Sequence, residues 1–442
     1  MRRPPKLHAL GWSDPDNSVS GKQRVTTTVN WIKRLGQNRM LDFGAALIAV
    51  LSVWRIILVL PTRLWGFDFN HFYVSSRLLI QGKNPYLISL EPMSREMGFE
   101  FSRDLPIPHY PPSFLWMFAP LVSLPPRVAF AVWVLVEILS LGLLLWLTRQ
   151  LLKDRLSPRG WRFLCIAAIA SQPIFWQFCF SQVQLPLAAV ALGAYALHRR
   201  GHHAVACMAV AAAGMLKFYP FVLLPWFVWR SGGSVPTRIS RAFLVIAMSV
   251  TVVVVTGPGL WRDFVRLGIP VAAANEVGRN FHYALPSLVT NLGLAYSGLN
   301  PSGAASRLWW AAGTAAGLLV IGLAYRLCYR SERDDETEFC LLCVAMLAGI
   351  VTVQGHYFVW LIFPLACAAL RVAAKSSTRS ILCFSLIVLA LNEVTPPPLS
   401  FLSDHIYLKI LVNYVPLYGL MGLGALLGGK MMKGRYQSAK GR

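Results

Sequence analysis

The sequence predicts an all-α polytopic membrane protein: a bundle of about 12 helices, several short or broken, with further helices in its outer-face loops. Three observations lead there. Hydrophobic residues make up 55% of the chain and charged residues only 14%, against roughly 25% charged in an ordinary soluble domain. Apolar runs long enough to cross a bilayer recur from Leu41 to Gly429. Lys and Arg outnumber Asp and Glu by 42 to 19 and gather in alternate connections between those runs. In a soluble chain a net charge of +23 suggests nucleic acid. Here it follows the positive-inside pattern, so membrane lipids are expected as partners and nucleic acid is not.

Along the chain, residues 1–40 are polar and basic and lack the apolar stretch of a signal peptide, which predicts a cytoplasmic tail. Residues 41–429 form the membrane domain, and 430–442 a second basic tail. Spans are expected near 42–60, 127–148, 163–180, 183–198, 204–216, 219–229, 241–257, 308–328, 339–353, 357–371, 380–395 and 409–428. Several fall short of the roughly 20 residues that a straight span needs. Pro125-Pro126, Pro186, Pro220 and Gly355 interrupt the pattern, and broken helices at membrane depth are tolerated where they line a cavity. The basic connections (Arg149 to Arg162, Arg199-Arg200, Arg230 to Arg241, Arg326 to Arg333, Arg371 to Arg379) fall on the side of both tails. Both termini are therefore expected in the cytoplasm, of a bacterial plasma membrane, with the long loops 61–126 and 258–307 outside it. All eight cysteines lie in apolar segments and read as small apolar residues; Cys340-x-x-Cys343 has no second ligand pair near it.

Polar residues gather at the outer turns. In "GFDFNHFYVSSRLLIQGKNPY" Asp68 leads a short amphipathic helix that Gly82 stops. It reads either as a helix cap or as a general base walled by aromatics. "HYPPSFLWMFAPLVSLPP" (His109 to Pro126) reads as a half-length helix facing a cavity or as a proline-kinked span. Gln182 and Gln184 stand at a tight turn, where their amides can bind sugar hydroxyls or finish helix ends. Lys217 interrupts "AAAGMLKFYPFVLLPW"; it either snorkels to the interface or contacts a phosphate. His356, in "VTVQGHYFVWLIFPL", is either an interfacial hydrogen-bonding residue or a phosphate donor or proton shuttle. "EVGRNFHYALPSLVTNLG" adds Arg279, whose guanidinium suits phosphate, with Asn280, His282, Ser287 and Asn291 as polar groups for a sugar or head group. Tyr73 and Tyr110 complete the candidate substrate contacts. An acid with nearby cations suits transfer of a group from a phosphate leaving group to a hydroxyl. No Walker motif, dinucleotide loop, zinc signature or nucleophile elbow is present, so no soluble nucleotide donor and no cofactor are indicated. No carboxylate cluster accompanies Asp68 to imply a metal.

These motifs resemble, in order and between about Leu41 and Leu370, the blocks of glycosyltransferase family 87, the polyprenol-phosphate-mannose-dependent mannosyltransferases of the GT-C type of fold. The resemblance rests on Asp68-Phe69 leading an aromatic helix to Gly82, Pro85 and Tyr86, on "YPP" followed by "PLVSLP", and on "SQVQ", "LKFYPFVLLP" and "QGHYFVWLIFPL". Ser181, Gln184 and Phe218 depart from the family pattern, and the Ser and Trp usual before the late histidine are absent. The resemblance implies a GT-C-like bundle and Asp68 as catalytic base. Lys217 and His356, helped by Arg279, would contact the phosphate of a polyprenyl-phosphate-linked sugar donor. The acceptor would be a glycan or glycolipid hydroxyl, attacked on the extracytoplasmic face with inversion. A lipid or solute transporter, or a lipid-linked glycan ligase, is the rival expectation; broken helices around a polar site suit transport as well.

Overall fold

The computed structural model describes residues 39–62, 67–99, 106–230, 232–271, 282–298, 304–330, 334–375, 377–392 and 405–440. The chain divides into two compact units, 1–47 and 48–442; the first holds the opening turns of the first helix, and every other element belongs to the second.

Each of the expected apolar runs is helical, and no strand occurs among the described residues. The first run is α1 (Arg39–Thr62). In the loop that follows lie α2 (Phe67–Ile80), α3 (Glu91–Glu96) and α4 (Pro112–Phe118), the last prolonged by a 3-10 turn at Ala119–Ser123. The second run is α5 (Pro126–Leu152), and the third is split into α6 (Pro158–Ala170) and α7 (Gln172–Phe180). Then come α8 (Gln184–Arg199), α9 (His203–Leu216), a 3-10 turn at Tyr219–Leu223 leading into α10 (Leu224–Arg230), and α11 (Val235–Thr256). The second long loop contains α12 (Pro258–Asp263), a π turn at Phe264–Gly268 and α13 (Leu285–Ser297). The rest is α14 (Ala304–Arg330), α15 (Asp335–Gly349), a 3-10 segment at Gly355–Leu361 opening α16 (Ile362–Lys375), α17 (Thr378–Leu391), α18 (Ile406–Asn413) and α19 (Val415–Lys440).

Among the described residues four stretches are long and apolar enough to cross a membrane by themselves: 126–152, 235–256, 307–330 and 355–375. There are six if α6 with α7, bent by 48°, and α18 with α19, bent by 49°, each count as one. The bends have local causes. Ser171 caps α7 through the Ile174 amide, with Pro173 in its first turn. Pro416 stands at the start of α19, where its ring and missing N–H interrupt helical bonding. The sequence-predicted half-length helix is also present, as α4 and its 3-10 extension between Pro112 and Ser123.

Burial sorts these helices. Only 6% of the apolar window of α11 is covered by protein, against 67% for the stretch 355–375. Ile239, Phe243, Ile246, Val250 and Val254 of α11 are all exposed. An apolar face that large is a lipid contact, with every backbone group satisfied inside the helix. This is an integral membrane protein, and the 3-10 segment with α16 is its protein-buried centre. At one crossing the bundle closes backbone to backbone: a Cβ added at Gly317 of α14 would lie 2.1 Å from the Gly349 carbonyl oxygen, so only glycine permits that approach.

Two parts of the core matter for the site. Phe69 and Phe72 of α2, Phe114 and Phe118 of α4, and Phe130 and Trp133 of α5 interlock mostly edge to face, with ring centroids 4.7–6.1 Å apart. Edge contacts favour the aromatic quadrupole and clamp the short α2 onto the bundle. The second part lies at the other end of α8, about 24 Å away by helical rise. There the acidic start of α15 meets arginines. Arg230 forks onto Glu338, whose Oε2 also accepts from Trp226 Nε1 at 2.8 Å, and Arg155 forks onto Glu336. Arg371 donates to Thr337 and lies 3.7 Å from Asp334. Acids at a helix N-terminus are favoured by its dipole, and the arginines neutralise them where water is scarce.

Glu338 is fully buried. Replacing Arg230 by Met leaves that carboxylate without its cation, and such an uncompensated charge costs about 3–5 kcal/mol. The detergent-solubilised variant is expected to melt well below wild type, and the double change Arg230→Met with Glu338→Gln is expected to recover most of the loss. Thermal unfolding of the purified proteins checks both.

Candidate functional site

The turn between α7 and α8 is built on Ser181, the one non-glycine residue with positive φ among the described residues (φ 52, ψ 53). A side chain in this left-handed region costs on the order of 1–2 kcal/mol, so the turn has to be held from outside. Trp133 Nε1 donates to the Ser181 carbonyl at 3.0 Å, and the Gln177 amide donates to the Gln182 carbonyl. The turn aims the Gln182 side chain into the bundle, where it is buried.

Gln182 joins the acid to the cation. Its Nε2 donates to Asp68 Oδ2. Its Oε1 accepts from Tyr110 Oη at 2.9 Å and from Lys217 Nζ at 3.5 Å. Lys217 Nζ also donates to Tyr110 Oη at 3.2 Å and rests 4.8 Å and 4.9 Å from the ring centres of Tyr110 and Tyr357. Two π faces and two oxygens thus stabilise an ammonium in a largely apolar setting. Tyr110 is fixed in turn by Tyr86, whose hydroxyl donates to the Tyr110 carbonyl at 2.6 Å. Burial and the Asp68 carboxylate push the Tyr110 phenol well above its ordinary range, so it remains a neutral donor.

Asp68 is buried, the second residue of α2, in the first turn where the helix dipole favours a carboxylate. Sequence left a capping role open for it; the structure turns its carboxyl onto Gln182. Lys217 directly follows α9 in extended backbone (φ −159), and Pro220, with no N–H to give, follows. Lys217 is part of the interior cluster and does not snorkel. His356 is 1% exposed, in the 3-10 segment, with its ring 5.6 Å from Phe180 and 4.9 Å from Tyr357. It lies within electrostatic reach of Lys217 and His282, and among the described residues neither of its buried ring nitrogens has a hydrogen-bond partner.

The remaining candidates divide. His282 is buried and brought beside His356 because the Tyr283 amide donates to the Val353 carbonyl at 2.6 Å. Gln184 Oε1 accepts from Tyr219 and Trp360, while its Nε2 is buried without a partner among the described residues. Tyr73 is not brought to Asp68: five residues further along α2 it faces the other way, and its hydroxyl donates to the Leu124 carbonyl at 2.8 Å. Ser287 and Asn291 are likewise engaged in the scaffold, with the Val351 carbonyl and Tyr414. Arg279 and Asn280 lie outside the described residues.

Four residues at the site were not singled out from the sequence: His71, His109, Tyr219 and Tyr357. His71 stands one helical turn after Asp68, and its ring is 6.3 Å from that of His109, which in turn is close to Lys217. The signal was present as "DFNH" and "HYPP", histidines inside blocks already marked. Tyr357 follows His356 directly but reads as one more apolar residue until the fold sets its ring under Lys217. Among the described residues no three His, Cys, Asp or Glu side chains gather to hold a metal ion.

Fold and site together describe a polytopic membrane protein carrying a buried acid and a half-buried cation in one polar cluster. The profile of glycosyltransferase family 87 matches residues 109–364, more than half of the chain, and the chain belongs to that family. The matched region includes Tyr110, Gln182, Gln184, Lys217, His282 and His356 and starts after Asp68. No curated protein and no solved structure matches the chain significantly. The protein is therefore a membrane glycosyltransferase.

Burial holds the His71 imidazole down at about 4, and burial with the Lys217 charge holds His109 well below its usual value. Both rings are neutral at pH 7. Unfolding lets them take up protons below about pH 6.5, so the stability of the neutral buried form is complete above that pH and is lost as pH falls toward 4. For His71 the loss amounts to about 3 kcal/mol. The thermal midpoint is expected to drop between pH 6.5 and 4, with a shallower slope in His71→Gln.

Proposed function

We propose that this glycosyltransferase moves a sugar, mannose or another hexose or pentose, from a polyprenyl-phosphate donor to a hydroxyl of a glycan or glycolipid acceptor on the extracytoplasmic face. The observation that carries the reading is the pairing of Asp68 and Lys217 through one carboxamide. It supplies a proton acceptor and a cation at the two ends of one side-chain amide, inside a bundle that lipids surround.

The acceptor oxygen attacks the anomeric carbon from the face opposite the phosphate and inverts that centre. Asp68 takes the hydroxyl proton as the new bond forms. The bond from the anomeric carbon to the phosphate oxygen breaks, and the phosphate leaves with the electron pair. Lys217 stabilises that growing charge, and the ring nitrogens of His356, without a hydrogen-bond partner among the described residues, supply a further contact. A half-buried cation held, among the described residues, by π faces and neutral oxygens is well prepared for an anionic group that arrives with the donor. A lipid-linked donor suits an enzyme embedded in the bilayer and needs no nucleotide-binding loop. The side of the membrane follows from charge. Asp68 and Lys217 stand at the opposite end of α8 and α15 from Arg155, Arg230 and Arg371, which by the positive-inside rule mark the cytoplasm, with both termini. The family assignment weighs against the transporter reading.

With purified protein in liposomes and a labelled polyprenyl-phosphate sugar, Asp68→Asn is expected to cut transfer by roughly 10²–10⁴-fold. Lys217→Ala is expected to cut it by about 10²–10³-fold. Undiminished transfer in either variant removes that residue's role. Transfer from a nucleotide sugar in place of the lipid donor overturns the donor class.

A further inference from the structure

A second buried acid stands outside this mechanism. Glu137, in the middle of α5, is fully buried, on a helix whose length and hydropathy mark it as a span. Among the described residues neither of its oxygens meets a cation: Oε1 accepts from Gln177 Nε2 at 2.7 Å, and Oε2 has no hydrogen-bond partner. Gln177 is also fully buried, and its own Oε1 has no hydrogen-bond donor among the described residues. Its Nε2 gives one hydrogen to Glu137 and the other to the carbonyl of Gln182. The inventory is therefore one proton short. Two buried acceptors on two side chains already in contact are left over, and each unmet polar atom at this depth is costly. A hydrogen on Glu137 Oε2, donated to Gln177 Oε1, satisfies both and closes the acid and amide into a ring of two hydrogen bonds.

This pair sits directly behind the site. Trp133 and Glu137 are four residues apart on one face of α5. Trp133 holds the Ser181 carbonyl and Glu137, through Gln177, holds the Gln182 carbonyl. Both carbonyls of the left-handed turn are thus gripped from one helix. We propose that Glu137, in its protonated form, is a positioning residue for catalysis: it locks Gln177, and through it the 181–182 turn, so that the Gln182 carboxamide stays between Asp68 and Lys217. The role is distinct from the transfer chemistry but rests on the reading that Asp68 and Lys217 perform it. Glu137 itself touches no reacting atom.

The experiment uses the full chain in liposomes with three variants. Glu137→Gln can rebuild the ring as an amide pair, its NH2 replacing the acid O–H, and is expected to retain transfer within about threefold. Glu137→Leu fills the volume but cannot hold Gln177; kcat is expected to fall roughly ten- to a hundredfold, the scale seen when supporting contacts behind functional side chains are lost. KM for the polyprenyl-phosphate sugar should change little and the melting temperature should stay near wild type. Gln177→Leu should match Glu137→Leu. Infrared difference spectra of Glu137→Gln against wild type at pH 7 should show loss of one protonated-carboxyl carbonyl band. Wild-type kcat in Glu137→Leu, or a carboxylate band in place of the acid band, overturns the proposal. So does a kcat loss that appears only with a collapse in melting temperature. The infrared arm uses no substrate, so it tests the pair even if the donor assignment fails, whereas full activity in Asp68→Asn strikes the assignment of the reaction alone.

Discussion

One side-chain amide joins the acid of the site to its cation. Gln182 presents its N–H to the Asp68 carboxylate and its carbonyl to Tyr110 and Lys217. In a medium where each unmet polar group costs several kcal/mol, an acid and an ammonium can be kept apart, yet close, only if something neutral and bifunctional stands between them. A direct ion pair would neutralise both groups and leave neither free for a substrate. A carboxamide, with a donor at one end and an acceptor at the other, satisfies each partner without cancelling its charge.

The rest of the bundle serves that arrangement. The aromatic clamp of Phe69, Phe72, Phe114, Phe118, Phe130 and Trp133 holds the α2 turn that carries Asp68. The 3-10 segment slides Tyr357 under Lys217 and sets His356 beside Phe180. Broken helices give the chain its turns at membrane depth, and their exposed backbone groups are met by side chains such as Ser171, Trp133 and Gln177. At the far end, the arginines on the acids of α15 tie the same helices together by charge. Placing ion pairs at one end and a polar cluster at the other lets the helices between them remain apolar.

The outer loops are tied to each other as well. Asn84 Nδ2 donates to Asp263 Oδ2 at 2.7 Å, joining the turn after α2 to the end of α12, and Tyr86 packs on Phe264. The guanidinium of Arg262 and the Asn84 amide hold the Asp263 carboxyl below its usual value. Since Tyr86 also carries the Tyr110 backbone, this latch lies one contact from the cluster of Tyr110, Gln182 and Lys217.

Much of this was legible in the chain itself. Hydropathy located the long apolar helices, because an apolar run of that length has no stable alternative to helix in lipid, and charge asymmetry ordered the connections; the loop helices Glu91–Glu96, Pro258–Asp263 and Leu285–Ser297 carried no such signal. Punctuation by Pro112, Pro125-Pro126 and Pro220 announced the short helices. Asp68, Lys217 and His356 were marked because a charged or polar residue among apolar neighbours is costly and therefore suspect. What the sequence could not decide was which of two cheap roles each polar residue took. Gln182 and Tyr73 looked alike as candidates. Only the strained Ser181 turn aims the first at Asp68, while helical phase turns the second toward Leu124. The tally of protons around Glu137 was equally invisible, since it depends on two helices meeting across 40 residues of chain. Composition and periodicity determine which segments enter the membrane; distances between distant side chains, and hence the chemistry, arise only when the helices pack.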